Sequence, residues 1–247
     1  MIIAIIQARM GSTRLPGKVL KTVIGKTLLE YQISRVQHSK KIDKVIVATS
    51  DLIQDDPIEN ICIEKKYSYF RGSENDVLDR YYSCAKKFNA STIVRLTADC
   101  PFTDPDIIDK TIELYQQTGV DYAANTVPPE SSQFPDGSDV EVFSFMALER
   151  ANKEAKDNAE REHVTFFFWK NNNGFKTAQL KSEVDWSKYR ITVDYPEDIV
   201  VVQFIIEELN KRKSFGHIPQ IIEILNRNPD VKAKNSKYYF GIGWGKK

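Results

Sequence analysis

The sequence opens with MIIAIIQARMGSTRLPGK, residues 1–18, in which an apolar run is followed directly by a basic loop. The run at 2–6 is rich in isoleucine and carries no charge, which is typical of a strand buried on both faces of a parallel sheet. The loop contains Arg9, Arg14 and Lys18, with glycines and a serine between them. Because ligands of open parallel sheets bind beyond the carboxyl ends of the strands, this loop is suited to a polyphosphate.

Two named phosphate-binding motifs do not match this loop. A Walker A loop has four residues between its first glycine and its Gly-Lys pair, and then a serine or threonine. Here Gly11 and Gly17 are separated by five residues, and Val19 follows Lys18. The dinucleotide motif GxGxxG is absent as well. The loop would therefore hold phosphates with side-chain cations as much as with the backbone, and the alternative is a basic surface turn.

Beyond the loop, strand and helix patterns alternate with short connections, and the rhythm changes at residue 121. The predicted strands span 44–50, 69–72, 91–98, 140–143, 175–180 and 189–193. The predicted helices span 27–37, 55–66, 75–88, 105–118, 144–155, 158–169, 197–211 and 218–226. The pattern predicts an α/β fold, a Rossmann-like and mostly parallel twisted sheet with helices on both faces, plus a small α+β extension. We expect one domain, 1–247, with 121–183 as an acceptor-binding and dimerisation extension.

Composition excludes several classes of protein. A chain of 247 residues with 41% hydrophobic residues can bury a real core. The net charge of +1 gives no basic field for a nucleic-acid partner. The three cysteines, at 62, 84 and 100, are odd in number and far apart, which argues against a disulfide framework or a zinc site. The first apolar run is too short for a signal peptide or a membrane span, so we expect a soluble cytoplasmic protein.

Two aspartates follow predicted strands and are candidate metal ligands. Asp99 comes directly after the strand at 91–98, and Asp194 comes directly after the strand at 189–193. In a parallel sheet both would lie at the edge that carries the basic loop. Two carboxylates beside bound phosphates are natural ligands for Mg²⁺. The alternative for each is a turn or helix cap.

The loop also resembles a known family signature. ARMGSTRLPGK, residues 8–18, is similar to the nucleotide-binding loop of the cytidylyltransferases that make CMP-KDO. The longer form IQARMGSTRLPGKVL, residues 6–20, resembles the SpsF-like branch, named for spore-coat polysaccharide synthesis and related to the CMP-KDO and acylneuraminate cytidylyltransferases. RLTADCP at 95–101 and VDYPED at 193–198 resemble the segments that carry the family's two magnesium-linked aspartates. The implied fold is that of the nucleotide-diphospho-sugar transferases.

The resemblance implies a role for each matching residue. It assigns nucleotide binding to Ala8, Arg9, Gly11, Ser12, Arg14, Lys18, Arg71, Ser73 and Arg80. It assigns catalysis to Lys18, Arg9 and Asp99, and Mg²⁺ binding to Asp99 and Asp194. Within the nucleotide set, Arg71 and Ser73 are the cytidine candidates. Arg80 is a phosphate candidate, with an i,i+4 ion pair to Asp76 as the alternative.

The acceptor side is less sharply defined. The segments 136–141 and 161–163 resemble parts that the SpsF-like branch carries around its acceptor pocket, which points to Asp136, Asp139, Glu141 and His163. The chain has ADCP at 98–101 where the CMP-KDO enzymes carry a Gly-Asp-Glu-Pro-like run. The segment 121–183 does not closely resemble their acceptor site, so we do not expect KDO itself to be the acceptor. The aromatic run FFFW at 166–169 is predicted to be core or an oligomer contact, and the family suggests a homodimer.

The resemblance implies an Mg²⁺-dependent cytidylyltransferase. It would transfer CMP from CTP to an acidic sugar, sugar phosphate or polyol phosphate for surface polysaccharide biosynthesis and release pyrophosphate. The alternative enzyme is a metal-dependent glycosyltransferase that uses a nucleotide-sugar donor, for which Asp104-Pro105-Asp106 supplies an Asp-x-Asp pair. A third alternative is a non-catalytic protein that binds CTP without turnover.

Overall fold

The computed structural model describes residues 1–170 and 173–242. The end of the predicted domain, 243–247, and residues 171–172 of the predicted extension lie outside these ranges. The strands are β1 Ile2–Gln7, β2 Thr22–Val23, β3 Lys26–Thr27, β4 Lys44–Ser50, β5 Ser68–Gly72, β6 Thr92–Thr97, β7 Tyr122–Ala124, β8 Glu141–Ser144 and β9 Thr177–Gln179. The helices are α1 Leu28–Val36, α2 Asp56–Lys65, α3 Val77–Lys87, α4 Pro105–Thr118, α5 Phe145–Glu154, α6 Asn158–His163, α7 Phe166–Trp169, α8 Pro196–Lys211, α9 Ile218–Arg227 and α10 Pro229–Lys232.

The main sheet of the described chain has seven strands in the order β5-β4-β1-β6-β8-β7-β9. Its neighbouring strands pair in parallel, except that β8 is antiparallel to both β6 and β7. The short strands β2 and β3 form a separate antiparallel hairpin. The prediction of a mostly parallel sheet is therefore confirmed, with β1 between two parallel neighbours as its apolar sequence requires.

The sheet carries helices on both faces, as the sequence predicts. Successive side chains of a strand point to opposite faces. Ala4 and Ile6 of β1 enter the core formed with α1, α2, α4, α8 and α9, whereas Ile3 and Ile5 enter the core formed with α3, α5 and α7. These four side chains are fully buried. A strand that must serve two cores cannot alternate apolar and polar residues, which explains the unbroken run.

The helix ends follow from local chemistry. Thr27 and Glu30 form a reciprocal capping box at the start of α1. α4 begins with Asp104 as its N-cap and Pro105 in its first turn, and it ends at Gly119 in a left-handed conformation. The N-cap of α3 is Asp76, whose side chain accepts the N–H of Asp79.

The segment 121–183 differs from its predicted structure in two places, because β7 is not among the predicted strands and one predicted helix is interrupted. The predicted helix at 158–169 is broken into α6 and α7 at Val164, which has a φ of 55°. The break turns the three phenylalanines 166–168 inward, and all of them are buried. The aromatic run is thus core, the first of its two predicted roles. The same segment supplies β7, β8 and β9, which extend the main sheet.

The predicted strand at 189–193 is wrong. These residues run extended beside the loop before β8 and make only an isolated bridge, between Asp136 and Arg190. The backbone N–H of Asp136 donates to the carbonyl of Tyr189 at 3.0 Å, and the N–H of Ile191 donates back to the carbonyl of Asp136 at 2.8 Å. The apolar residues of this segment face the core, which is why its pattern resembles a strand. Within the described residues, no helix is both long and apolar enough to cross a bilayer.

Gly137 lies where this extended segment and the loop touch. Its φ is +102°, and a Cβ atom there would lie 2.3 Å from the backbone nitrogen of Thr192. We expect Gly137→Ala to lower the free energy of unfolding by about 3 kcal/mol, because backbone strain and a backbone clash add together. Urea denaturation followed by circular dichroism measures the change.

Gly119 is the matched control for this substitution. It also has a positive φ, of +63°, but nothing lies within 4 Å of its virtual Cβ atom. Gly119→Ala should therefore cost only the left-handed backbone penalty of about 1 kcal/mol. Equal losses at the two positions would contradict the close contact between the loop and the extended segment.

Candidate active site

The basic loop leaves the carboxyl end of β1 and is anchored by backbone hydrogen bonds. Ala8 is buried at the strand end, and its N–H donates to the carbonyl of Ala48 at 3.0 Å. The N–H groups of Gly17 and Ser12 both donate to the carbonyl of Met10 and so fold the loop back on itself. Gly17 has a φ of 67°, a conformation that favours glycine, and a short 3₁₀ helix follows at Lys18–Leu20. These bonds fix the direction in which the cations of the loop point.

Lys18 joins the two predicted metal aspartates. Its Nζ atom lies 2.7 Å from Oδ2 of Asp99 and 2.8 Å from Oδ1 of Asp194. Lys18 is buried, with a relative exposure of 9%. Burial lowers the pKa of Lys18, but the two carboxylates outweigh burial and raise it above its usual value. The structure thus brings together three residues separated by up to 176 positions in the sequence.

The sheet explains why Asp99 and the loop meet. β6 and β1 are adjacent and parallel, so the residues that follow them lie at the same edge. The N–H of Ala98 donates to the carbonyl of Gln7 at 3.0 Å, which continues the ladder one residue beyond the strands. Asp194 does not follow a strand, and a different backbone contact brings it to the loop. The N–H of Val193 donates to the carbonyl of Asp99 at 2.9 Å, and this bond places the next side chain beside the loop.

Asp194 is surrounded by cations. Besides Lys18, it accepts hydrogen bonds from Nη2 of Arg14 at 2.5 Å and from Nη2 of Arg190 at 3.1 Å. Burial alone would raise the pKa of Asp194, but the three cations together hold it well below its usual value. The guanidinium of Arg14 also lies 5.0 Å from the ring centroid of Tyr195. Asp194 is therefore a carboxylate kept ionised among positive charges.

Arg9 pairs with acidic residues other than Asp99 and Asp194. Its guanidinium lies 2.9 Å from Glu162 of α6 and 3.5 Å from Glu74. Glu74 also lies 3.9 Å from the guanidinium of Arg80. Arg80 is therefore near the loop, but it is almost fully buried, and the burial lowers its pKa.

The alternative pairing of Arg80 with Asp76 is not found. The guanidinium of Arg80 instead donates to the carbonyl of Ser73 at 2.9 Å, and Asp76 pairs with Arg161 at 2.5 Å. In the described ranges, Nε of Arg80 is a buried donor without a hydrogen-bond partner. A ligand atom or a small shift of Arg80 would be needed to satisfy that donor.

The two predicted cytidine contacts are occupied by protein partners. Arg71 donates to the carbonyl of Ser50 at 2.9 Å and to the carbonyl of Leu52 at 2.8 Å, and its guanidinium also pairs with two acidic residues of α2. The hydroxyl of Ser73 accepts from the N–H of Asp76 at 3.1 Å. Both side chains tie β5 to its neighbouring helices. Neither is among the residues that converge on Lys18.

The loop itself offers free backbone donors. Across residues 1–170 and 173–242, no protein acceptor is found for the N–H groups of Gly11 and Arg14. The hydroxyl of Ser12 lies 3.4 Å from the N–H of Leu15, a long hydrogen bond. A Cβ atom on Gly11 would meet Gln54 at 3.4 Å, so this glycine leaves little room behind the loop. These donors together with the loop cations suit an anionic ligand.

The predicted acceptor carboxylates Asp136 and Asp139 lie close enough to Asp99 for its charge to act on both. Asp136 pairs with Arg190, and burial raises the pKa of Asp136 while Arg190 opposes the rise. Asp139 accepts from the hydroxyl of Thr126 at 2.7 Å and from the N–H of Gly137 at 3.1 Å. Burial raises the pKa of Asp139 to about 6, and its two hydrogen-bond donors are neutral groups that only partly oppose the rise.

Glu141 and His163 border a small cavity of about 50 Å³. Its lining residues are Arg95, Val127, Asp139, Glu141, His163, Thr165, Phe166 and Trp169. Glu141 is already bonded by Arg95, Tyr122 and Thr165. The ring of His163 lies 4.4 Å from that of Phe166, centroid to centroid. The structure therefore brings Asp139, Glu141 and His163 to one cavity, while Asp136 lies on the Arg190 side.

The Asp-x-Asp pair has a structural role. Asp104 is buried, and it accepts from the N–H of Asp106 at the start of α4 and from the N–H of Ile218 at the start of α9. His217 lies 3.0 Å from the same carboxylate. In the described part of the chain, one group of three His, Cys, Asp or Glu side chains lies close enough together to share an ion. It consists of Asp104, Asp106 and His217. The helix caps account for the carboxylate of Asp104 without a metal.

Sequence reasoning missed two residues of the site, Arg190 and Asp198. Asp198 is fully buried, and its Oδ2 accepts the N–H groups of Asp194 at 2.8 Å and Tyr195 at 2.9 Å. Both Nε and Nη2 of Arg190 bond to the same carboxylate. The sequence signal that could have identified them is an arginine in the mostly apolar run 189–193, followed by aspartates four and eight residues later. An acid in the first turn of a helix also suits the helix dipole, so the sequence alone does not reveal this role of Asp198.

The fold and this site define a nucleotidyltransferase. A mostly parallel sheet presents a cationic loop at its carboxyl edge, with two carboxylates within reach of one lysine of that loop. Residues 3–216 match the family model described as cytidylyltransferase. The chain belongs to this family, as the resemblance of the loop predicts.

Three similar proteins illustrate the relationship. The spore coat polysaccharide biosynthesis protein SpsF of Bacillus subtilis is 34% identical over 240 residues, covering 94% of this chain and 97% of that protein. A cytidylyltransferase structure from Leptospira borgpetersenii is 36% identical with a TM-score of 0.85, covering 94% and 96% of the two chains. The structure of CMP:2-keto-3-deoxy-manno-octonic acid synthetase complexed with CTP has a TM-score of 0.61 at 16% identity, over 84% and 98% of the chains. That last likeness shows the shared fold.

Asp139 should make stability depend on pH. Its pKa is about 6 in the folded protein and about 4 in an unfolded chain, so the folded state binds more protons between these values. The contribution of Asp139 to the free energy of unfolding is therefore present below pH 4 and is lost as pH rises through 6. Relative to wild type, Asp139→Asn should gain about 1–3 kcal/mol between pH 4 and pH 7.

Denaturant unfolding at several pH values measures this difference. Asp230→Asn removes one exposed carboxylate and controls for the loss of a charge. A stability difference between Asp139→Asn and wild type that stays constant from pH 4 to pH 7 would contradict the shifted pKa.

Proposed function

We propose that this protein is an Mg²⁺-dependent cytidylyltransferase that transfers CMP from CTP to an acidic sugar, sugar phosphate or polyol phosphate and releases pyrophosphate. The observation that carries the proposal is the convergence of Asp99 and Asp194 on Lys18. The name of the Bacillus subtilis relative supports a place in surface polysaccharide biosynthesis. CTP in the structure of the distant synthetase supports the choice of nucleotide.

The donor set fits Mg²⁺. Two carboxylates each lie within 2.8 Å of one ammonium nitrogen, so their oxygens are neighbours held beside a positive charge. Mg²⁺ is usually held by one or two carboxylates together with waters and substrate phosphates. Asp99 and Asp194 would hold the ion, which when bound would supply positive charge to the phosphates. Lys18 and Arg14 would then be released from the carboxylates toward the triphosphate.

The chain's own residues would stabilise the reaction electrostatically. An oxygen of the acceptor forms a bond to the α-phosphorus of CTP as the bond to the bridging oxygen of pyrophosphate breaks. Negative charge on the phosphate oxygens is the main thing to stabilise in such a transfer. Lys18 and Arg14, which both bond to Asp194, would face the phosphates, and Arg9 at the start of the loop pairs with Glu162. The free N–H groups of Gly11 and Arg14 would add backbone donors.

The acceptor would enter from the side of Asp139. The cavity bordered by Asp139, Glu141 and His163 is next to the turn that carries Asp99, since the thiol of Cys100 lies 3.9 Å from Asp139. Hydroxyl groups of a sugar or polyol suit these carboxylates as donors. A homodimer stays a prediction from the family resemblance, and the buried phenylalanines 166–168 supply no surface for it.

The glycosyltransferase alternative depends on Asp104 and Asp106, and the carboxylate of Asp104 already caps two helices. The two chemistries release different products, pyrophosphate from CTP or a nucleotide diphosphate from a sugar donor. A screen of acceptors with CTP and Mg²⁺, read by pyrophosphate release and repeated with the other nucleoside triphosphates, separates them. Equilibrium CTP binding without turnover on any acceptor would favour a binding protein.

Lys18→Gln should lower kcat/KM for CTP by about 10²- to 10³-fold. The substitution keeps the length of the side chain nearly unchanged but removes the charge that faces the phosphates. Pyrophosphate release measures the loss, and calorimetric titration with CTP separates binding from turnover. Lys26→Gln removes a charge from an exposed position of β3 and is the matched control. Unchanged turnover in Lys18→Gln would refute the assignment.

A further inference from the structure

The C-terminal segment lies against the site, although it follows the part of the chain that matches the family model. The family match ends at residue 216, whereas the residues at 235–238 contact the segment that carries Asp194. This C-terminal segment comes after α10 and includes a short 3₁₀ helix at Ala233–Asn235. Its side chains make three kinds of contact with residues 190–198, which are a buried hydrogen bond, an aromatic stack and an ion pair.

The buried hydrogen bond comes from Asn235. This side chain is 3% exposed, and its Nδ2 donates to Oδ1 of Asp198 at 2.9 Å and to the carbonyl of Arg190 at 3.3 Å. Asp198 uses its other oxygen to accept the N–H of Asp194. Asn235 therefore holds both groups that orient Asp194, the carboxylate that binds its backbone and the arginine that binds its side chain.

The aromatic stack comes from Tyr238. Its ring lies on that of Tyr195 with centroids 3.7 Å apart and an interplanar angle of 2°. The guanidinium of Arg14 lies 5.0 Å from the ring of Tyr195, and the guanidinium of Arg190 lies 5.6 Å from the ring of Tyr238. The stack thus supports two of the three cations that surround Asp194. Lys237 adds an exposed ion pair with Glu197 at 2.7 Å.

We propose that Asn235 and Tyr238 are positioning residues of the active site. They hold Tyr195, Arg190 and Asp198 in the places that orient Asp194 and Arg14. The kinetic part of this inference, an effect on KM for CTP, rests on the proposed function. The structural part, the support of the segment that carries Asp194, does not. A segment that only covered the core would contact apolar residues, whereas these two side chains contact polar and aromatic groups around one carboxylate.

The test compares Tyr238→Ala with Tyr239→Ala. The neighbouring Tyr239 is 67% exposed, so its truncation controls for the loss of a tyrosine from the same segment. In Tyr238→Ala, KM for CTP with Mg²⁺ should rise about 3- to 30-fold, the range that one ring contact with a cation provides. The value of kcat should change less, because Lys18 is not part of the stack. Tyr238→Phe keeps the ring and should restore KM to within about twofold of wild type.

Hydrogen exchange read by mass spectrometry gives a measurement that needs no substrate. Peptides covering 189–199 should exchange faster in Tyr238→Ala than in wild type or Tyr239→Ala, while peptides of β1 and β6 should keep their rates. Equal exchange of 189–199 in the two alanine variants would overturn the inference. Unchanged KM for CTP in Tyr238→Ala would also overturn it. A wild-type protein that releases no pyrophosphate with any acceptor would instead refute the proposed function, and the exchange result would still decide the inference.

Discussion

The ammonium of Lys18, held between the carboxylates of Asp99 and Asp194, is the interaction on which the rest of the site depends. Two carboxylates at close range repel each other unless a cation lies between them. Each partner is delivered by a different part of the fold, because the lysine follows β1, one aspartate follows β6, and the other ends an extended segment beside the loop before β8. The charges therefore assemble only when β1, β6 and the segment 189–193 have come together.

Much of the framework could be predicted because it depends on local patterns. The unbroken apolar run at 2–6 requires a strand that serves two cores, and β1 is such a strand. The position of Asp99 follows from the geometry of parallel strands, since residues after adjacent strands share an edge. The start of α4 follows from two neighbouring residues, because Asp104 caps the helix and Pro105 suits its first turn.

Other features of the fold and the site could not be predicted, because they depend on contacts between residues that are distant in the sequence. The segment 189–193 has the pattern of a strand, but its backbone partner is a loop, and no periodicity distinguishes the two. Arg71 stays a predicted cytidine contact, but its protein partners, two carbonyls and two acids of α2, could not be inferred from the sequence. Arg190 carries no motif of its own, and its importance comes from the carboxylates that fold against it. Side-chain partners of this kind are set by tertiary packing.

The reversed direction of β8 gives the two halves of the site different architectures. Residues of the basic loop and Asp99 come after strands, whereas Asp136, Asp139 and Glu141 come before or at the start of a strand. The first group is tied to the inner parallel strands, and the second belongs to the connection before β8, whose backbone bonds to the segment 189–191. A change in this connection would therefore be transmitted through Arg190 to Asp194, so that the two groups of acids have to be redesigned together.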